Sequence, residues 1–229
     1  MIYGSGLLAT ALMSHGMPNG AHFFCKGVSS SRELDPNCYS RELRELSEVL
    51  ESDTKPVYYF SSVAVTKLKD NSVYYAHKYR TEKLVLATGR GRIVRLPQVV
   101  GKSGNRDNLL NFFIDSLLSG SKLMLNRLAV RNFVKSTDIA RVLSSFHDDD
   151  RLWHSNGDIL ELSSPFNFNA IKIAKLIAQR LEVECLYETY ESDEGVIYDP
   201  EFFNRAISEY NTVSSDQYFM NIIDEIMYA

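Results

Sequence analysis

An apolar run that ends in two serines is followed, twelve residues later, by a tyrosine and a lysine one helical turn apart. The run is Val57–Phe60, the serines are Ser61 and Ser62, and the pair is Tyr74 and Lys78. Helical spacing places the ammonium beside the phenol, and a nearby positive charge is expected to lower the pKa of that phenol. Together with a serine hydroxyl, these groups can move a proton on or off a carbinol while a cofactor carries hydride. The segment therefore predicts a strand, a helix and a site for redox chemistry.

The order strand, Ser-Ser, Tyr-x-x-x-Lys-x-x-x-Glu resembles the extended short-chain dehydrogenase/reductases, the NAD-dependent epimerase/dehydratase family. The resemblance implies an α/β fold with a Rossmann-like, doubly wound parallel sheet, NAD or NADP as cofactor and a nucleotide-diphosphate sugar as substrate. It assigns Tyr74 as the acid/base and Lys78 as the group that lowers the tyrosine pKa and holds the cofactor ribose. Ser62 is expected to hydrogen-bond the reacting oxygen, and Glu82 to orient the helix surface.

The start of the chain predicts a strand, a glycine turn and a helix that ends near His15. Met1–Tyr3 leads into a G-x-G-x-x-A spacing, in which the first glycine permits a tight turn and the second lets backbone approach a pyrophosphate. The residues of this turn that we expect to bind the cofactor are Gly4, Ser5, Gly6, Leu7 and Leu8. A glycine-rich turn that binds nothing is the alternative interpretation.

The next predicted strand, 21–26, lacks the terminal acid that holds the adenosine ribose after the second strand of a Rossmann fold. In one interpretation it is nevertheless that second strand, and Lys26, three serines and Arg32 form a pocket for the 2′-phosphate of NADP. In the other it resembles the fourth strand of the family, so that Lys26 and Gly27 pass near the nicotinamide side of the cofactor.

We favour the fourth-strand interpretation because a helix predicted over 36–52 leads directly to the serine-bearing strand. In the family the fourth strand and its helix immediately precede that strand. Two strand–helix units are then missing from the nucleotide half, and the adenosine end of a dinucleotide site is truncated.

A β-branched run over 92–96 precedes a segment that resembles the family's Arg-x-x-Asn-x-x-Gly pattern. It begins at Arg95 and ends at Gly101. The resemblance places Pro97 at the cofactor and gives Gln98 the place of the asparagine that faces the substrate. Glutamine keeps the amide but lengthens its reach.

Two further segments carry the expected substrate contacts. Asn108 and Leu109 fall where the family often contacts a nucleotide diphosphate. Arg131 opens a segment similar to Arg-Asp-Phe-x-x-Val-x-Asp-x-Ala, in which the arginine grips the diphosphate, a task that suits the planar guanidinium fork. Asn132 replaces the usual aspartate, and Asp138 is expected to have a structural role in the first turn of a helix.

The reaction is narrowed by the residues after Ser62. Sugar dehydration in this family often uses an Asp-Glu pair there, whereas this chain has Val63 and Ala64, which transfer no proton. The resemblance thus implies 4-ketoreduction, or 4-epimerisation through a transient ketone, in the synthesis of surface-polysaccharide sugars. The alternative is a catalytically inactive member that serves as a sugar-nucleotide-binding or regulatory subunit.

Composition excludes several other classes. The 229 residues are 45% hydrophobic and 24% charged, which suits one α/β unit, and a net charge of −4 gives no basic footprint for nucleic acid. No apolar run is long enough for a membrane span, and the three cysteines have no metal-ligand spacing, so we expect a cytoplasmic protein. The acidic run 147–150 is interpreted as a helix-end loop and not as a metal site.

We expect a cofactor-binding core over 1–120 and a small mixed substrate-capping region over 121–229, interleaved with the core in one compact unit. In the second region the pattern predicts a last strand at 183–187, an acidic loop and two closing helices. The sequence leaves the oligomeric state open, and the resemblance adds a homodimer as one possibility, since the family often dimerises through the helix that carries Tyr-x-x-x-Lys.

Overall fold

The structure, a computed structural model, describes residues 1–17, 20–101, 109–192 and 196–227. The strands of this part are β1 (Ile2–Tyr3), β2 (His22–Phe24), β3 (Val57–Ser62), β4 (Gly91–Leu96), β5 (Gln98–Val100), β6 (Leu123–Asn126), β7 (Val130–Lys135), β8 (Ile159–Glu161), β9 (Asn167–Asn169) and β10 (Tyr187–Tyr190). The helices are α1 (Leu7–His15), α2 (Pro36–Ser52), α3 (Val65–Leu68), α4 (Val73–Leu86), α5 (Leu109–Leu118), α6 (Ser136–Phe146), α7 (Asp150–Ser155), α8 (Ala170–Leu181), α9 (Glu201–Ala206) and α10 (Ser215–Met227), with a 3₁₀ helix at Ser208–Thr212. None of these helices is long and apolar enough to cross a membrane.

A five-stranded sheet in the order β1-β2-β3-β4-β8 forms the centre of the fold, and every neighbouring pair is parallel. Parallel strands with both faces covered read as continuous apolar runs, and Val57, Tyr58 and Tyr59 of β3 are all fully buried. The predicted α/β architecture with a parallel sheet is confirmed.

The two faces of this sheet pack against different helices because side chains alternate along each strand. Tyr58 points to the face that is covered by α1, α6, α7 and α9, where it stacks on Phe23. Tyr59 points to the opposite face, which is covered by Leu46 of α2 and Val85 of α4. The predicted serine-bearing strand therefore lies in the middle of a three-layer core.

The order of the strands decides between the two interpretations of residues 21–26. In a complete doubly wound sheet the second and third strands lie beyond the first, away from the fourth. Here β2 lies between β1 and β3, so it occupies the place of the fourth strand, and the second-strand interpretation is wrong. The connection from α1 to β2 is only six residues, 16–21, so the two absent units would fall inside the chain.

A smaller region packs beside this core. β5 pairs in parallel with β7, which pairs antiparallel with β9, and β6 pairs in parallel with β10. These strands share an apolar core with α5, α8 and α10. The last strand is four residues later than predicted, at Tyr187–Tyr190, because pairing with β6 sets its register.

A buried asparagine joins the two regions. Asn132 of β7 is fully buried, and its amide nitrogen donates to the carbonyl oxygens of Ser164 (2.8 Å) and Phe166 (3.1 Å) and to Oδ1 of Asn167 (2.8 Å). Its oxygen accepts from the backbone N–H of Ser164 at 3.0 Å. These bonds hold the segment after β8 against β7.

Candidate active site

The predicted cofactor and catalytic residues converge on the carboxyl edge of the parallel sheet. Gly4 follows β1, Gly27 follows β2, Ser62 ends β3 and Pro97 follows β4. This is the edge at which open α/β sheets bind their ligands. Because these positions come from separate stretches of sequence, their common placement depends on the fold.

The glycine turn has the geometry that a close approach requires. Gly4 has a φ of +123°, and a Cβ there would lie 3.0 Å from the carbonyl oxygen of Cys25, so glycine is needed for both reasons. Gly6 is the N-cap of α1 and has extended backbone, and the described residues leave open space where its Cβ would lie. The first amides of α1, at Leu7 and Leu8, have no partner within the helix and are available to an anion.

The residues after β2 connect this turn to α4. A Cβ on Gly27 would lie 2.7 Å from Nζ of Lys78, so the lysine reaches the backbone of the loop only because residue 27 is glycine. Lys26 points elsewhere, and its ammonium forms an ion pair of 3.0 Å with Glu45 of α2. The structure thus brings Gly27 to the predicted catalytic lysine but gives Lys26 a partner on α2.

The helix α4 presents Tyr74, Lys78 and Glu82 on one buried face, as the spacing predicts. Glu82 forms a two-pronged ion pair with Arg95 of β4, at 3.0 and 2.8 Å, which fixes the helix on the sheet. Tyr74 packs with Tyr39 and Val28 and is 9% exposed. Its phenol therefore lies under the loop that follows β2.

An acid that the motif does not contain holds the lysine. Oε1 of Glu42, on α2, accepts a hydrogen bond of 3.1 Å from Lys78 and one of 2.6 Å from the Tyr59 hydroxyl. Its other oxygen accepts from the backbone N–H of Val28 at 2.7 Å and lies 3.2 Å from Nε2 of His77. Both charged groups are almost completely buried, with Glu42 1% and Lys78 2% exposed.

These contacts set the charge states of the cluster. Burial alone would raise the pKa of Glu42, but His77, Lys78, Tyr59 and the Val28 amide outweigh it and lower that pKa to about 2. Burial lowers the pKa of Lys78, while the carboxylate opposes that shift. The pair is an ion pair whose two charges largely compensate each other.

The expectation that Lys78 lowers the pKa of Tyr74 is wrong. Burial, the neighbouring Tyr75 and the Glu42 carboxylate raise the pKa of Tyr74 instead of lowering it. The lysine ammonium lies 5.8 Å from the centre of the Tyr74 ring, but its charge is compensated by the carboxylate. Tyr74 is therefore a neutral phenol at pH 7.

Glu42 carries a signal that sequence reasoning can use. It lies on the buried stripe of α2 with Tyr39, Leu46 and Val49, at the spacing of one helical face. An acid inside an apolar stripe needs a buried cation, because an unpaired buried charge is costly. The rule predicts a buried cation, and the structure shows that it is Lys78 of α4.

The two serines of β3 lie on opposite faces of the sheet, as alternation requires. The Ser61 hydroxyl shares the α4 face, is 7% exposed and has no hydrogen-bond partner among the described residues. The Ser62 hydroxyl accepts from the backbone N–H of Ala64 at 3.3 Å. Ser61, which the motif did not single out, is thus a second candidate for the hydroxyl that meets a ligand.

The predicted substrate residues lie in the smaller region. Gln98 begins β5 and is half-buried, and Leu109 begins α5 and packs on the core of that region. Arg131, on β7, donates to the carbonyl oxygen of Val130 at 3.1 Å. Asn108 lies outside the described residues.

The smaller region also contacts the glycine turn. At the end of β5, Gly101 would place a Cβ 3.0 Å from the Leu7 side chain and 2.9 Å from the hydroxyl of Ser136. The helix that follows the glycine turn and the predicted substrate segment are therefore neighbours.

The fold has relatives among solved structures. No protein-family model and no curated protein matches the sequence. The chain superposes on dTDP-glucose 4,6-dehydratase from Bacillus anthracis in complex with NAD, with a TM-score of 0.66, 15% identity, and coverage of 96% of this chain and 77% of that one. It matches UDP-glucuronic acid 4-epimerase from Bacillus cereus, in complex with UDP-glucuronic acid and NAD, with a TM-score of 0.70 at 14% identity over 96% and 78% of the two chains. It also matches a UDP-galactose 4-epimerase, with a TM-score of 0.69 at 16% identity over 96% of this chain and 81% of that one.

At this level of identity the likeness is one of fold. The chain has the fold of the NAD-dependent sugar-nucleotide dehydratases and epimerases, the extended short-chain dehydrogenase/reductases, which confirms the fold that the motifs implied. The chain is shorter than these relatives, as two absent strand–helix units require. Fold alone does not assign an activity, so the site must carry that argument.

Proposed function

We propose that this chain binds NAD or NADP and catalyses oxidation and reduction at one carbon of a nucleotide-diphosphate sugar, as a 4-ketoreductase or a 4-epimerase. The observation that carries the proposal is the convergence of the glycine turn, Gly27, the serines of β3 and the Tyr74–Lys78 pair on the carboxyl edge of one parallel sheet. The sugar-nucleotide relatives that were solved with NAD support the choice of ligand class.

The residues present fit the pyrophosphate and nicotinamide parts of the cofactor. Gly6 leaves open space at the start of α1, where unpaired amides favour an anion. Ser61 has a buried hydroxyl without a partner among the described residues, and Lys78 lies directly beneath Gly27. We expect Gly4, Ser5, Gly6, Leu7 and Leu8 to hold the pyrophosphate, and Gly27, Lys78 and Pro97 to lie at the nicotinamide end.

The cofactor supplies hydride transfer, and the chain's own residues handle the proton. Reduction of a 4-keto carbon leaves an alkoxide oxygen, to which the neutral Tyr74 phenol can donate its proton. The raised pKa of Tyr74 makes it a weaker acid than a free phenol, so proton donation depends on the alkoxide, which is the stronger base. We expect Ser61, which shares the α4 face, or Ser62 at the end of β3, to hydrogen-bond the same oxygen, and Arg131 to hold the diphosphate.

The residues after the serines argue against sugar dehydration. Val63 and Ala64 are both buried and apolar, so neither can abstract or return the further proton that elimination needs. Of the activities of the relatives, this leaves those that change the oxidation state or the configuration of a single carbon.

The proposal is tested by deuteride transfer from 4-deuterated NADH to a 4-keto sugar nucleotide, with uridine- and thymidine-linked substrates, followed by mass spectrometry. Tyr74→Phe removes only the proton donor, so we expect the rate to fall by about 10²–10⁴-fold while NADH binding stays within a fewfold of wild type. Tyr79→Phe makes the same chemical change on the same helix, at a ring that packs against Lys69 and Lys83, and should leave the rate unchanged.

The outcomes separate the candidate functions. Full activity in Tyr74→Phe would contradict the assigned acid/base. Binding of sugar nucleotides without turnover of any of them would favour the binding-subunit alternative.

A further inference from the structure

We propose that this chain recognises the nicotinamide, ribose and pyrophosphate of its cofactor but not the adenosine, and therefore accepts NADH, NADPH and reduced nicotinamide mononucleotide with little discrimination. The inference rests on the proposed function and concerns which part of the ligand the site reads.

The order of the strands differs from that of a complete doubly wound sheet. In a doubly wound sheet the dinucleotide lies across the point where the strand order reverses, with the second and third strands on the adenosine side. In this sheet the order follows the chain, β1-β2-β3-β4-β8, so it contains no reversal, and β1 is its edge among the described residues. Among the described residues, no strand lies on the side of β1 that would carry the adenosine contacts.

The connection after α1 is too short to contain another strand–helix unit. The six residues 16–21 join α1 directly to β2, whereas a parallel crossover with its helix needs at least about ten residues. No strand–helix unit can therefore lie between them. This holds whatever precedes or follows the chain, since the connection is internal.

The first cation after β2 has a partner on the protein. Lys26 is the residue closest to that strand which could pair with a 2′-phosphate, but it is bound to Glu45 at 3.0 Å. The next residue, Gly27, contacts Lys78, which belongs to the nicotinamide end. This segment therefore serves the nicotinamide end, as the place of β2 as the fourth strand requires, and among the described residues no second strand is present whose following segment could read the adenosine ribose.

The consequence is a loss of specificity, not of all affinity. A site that hydrogen-bonds a hydroxyl or pairs with a phosphate rejects the analogue that lacks it by much more than about tenfold. Without such groups, NADH and NADPH should differ by no more than about threefold in Kd. Reduced nicotinamide mononucleotide keeps the recognised half except for one phosphate, and its Kd should lie within about tenfold of that of NADH.

The experiment is a titration of the purified chain with each of the three reduced compounds, followed by nicotinamide fluorescence at 0.15 M salt, where long-range repulsion from the net negative charge is screened. Adenosine, which carries no phosphate, is added as a competitor and should not displace NADH. The variant Lys26→Ala/Arg32→Ala tests the rejected 2′-phosphate pocket, and it should leave the ratio of the two dinucleotide Kd values unchanged.

A preference of tenfold or more between NADH and NADPH would overturn this inference but not the proposed function, and so would displacement of NADH by adenosine or failure of the mononucleotide to bind. A selective loss of NADPH binding in the double variant would do the same. Failure of all three compounds to bind would overturn the proposed function, and this inference with it.

Discussion

The Glu42–Lys78 ion pair makes a quantitative prediction about stability. Glu42→Gln keeps the shape of the side chain but only one of its two acceptor oxygens, so either the Tyr59 hydroxyl or the Val28 N–H loses its acceptor. The Lys78 ammonium is also left buried with no opposite charge at 3.1 Å. Removing one partner of a buried ion pair costs about 3–5 kcal/mol, because the remaining charge has lost its compensation.

The pKa of Glu42 gives an independent figure. Folding lowers it from 4.5 to about 2, and at 1.36 kcal/mol per pH unit this difference corresponds to about 3 kcal/mol. Because the folded pKa is the lower one, this stabilisation is fully present above pH 4.5. It is lost as the pH falls through about 2.

The assay is urea unfolding at pH 7 and over a series of acidic pH values. We expect Glu42→Gln to lose about 3 kcal/mol at pH 7 and to show a weaker decline between pH 4.5 and 2 than wild type. Glu45→Gln is the matched control, since Glu45 lies on the same helix in a surface pair with Lys26 and should cost less than about 1 kcal/mol.

A double-mutant cycle tests the mechanism. Lys78→Met in the Glu42→Gln background removes the orphaned charge, so it should restore much of the lost stability. A Glu42→Gln variant within about 1 kcal/mol of wild type, or strictly additive costs in the double variant, would refute the buried ion pair.

Two further predictions concern the scaffold that positions the site. Gly91→Ala should lower the free energy of unfolding by about 2 kcal/mol or more, because its Cβ would lie 2.3 Å from the carbonyl oxygen of Val85. Gly20→Ala is the control: its Cβ meets no described atom within 4 Å, so its free energy of unfolding should stay within about 0.5 kcal/mol of that of wild type. Equal costs for the two glycine variants would contradict the close packing of α4 on β4. Asn132→Leu should cost about 3 kcal/mol by thermal or urea unfolding, because the backbone groups of Ser164 lose their partner in a fully buried place. A neutral result would show that water replaces the amide.

Much of the core could be predicted because local signals and global packing agree. The helix predicted over 36–52 is α2, Pro36–Ser52, which starts where proline occupies the first turn and Asp35 caps it by accepting from the Asn37 N–H at 2.9 Å. The serine-bearing strand and the tyrosine-bearing helix also lie where their apolar patterns placed them. The place of β2 in the sheet was implied by the resemblance, since in the family the fourth strand and its helix immediately precede the serine-bearing strand.

The predictions that were wrong concern features that depend on how distant parts of the chain pack together. The last strand was placed four residues early because Tyr187–Tyr190 is mostly exposed and gains its structure from pairing with β6. The expected direction of the Tyr74 pKa shift was wrong because burial under the loop after β2 is its largest cause, with further contributions from Tyr75 and from the carboxylate of Glu42 on another helix. A motif gives the reactive groups, whereas their charge states depend on what the fold packs against them.

The central claim, that the glycine turn is a cofactor site, is tested most directly by titrating wild type and Gly6→Asp with NADH. Residue 6 is an extended N-cap with open space around it, so aspartate fits and should cap α1 well, but its carboxylate would repel the diphosphate. The account predicts saturable NADH binding by wild type and at least about a hundredfold weaker binding by a variant that is no less stable. Equal NADH binding by both proteins, or no binding by wild type at millimolar NADH, would contradict it.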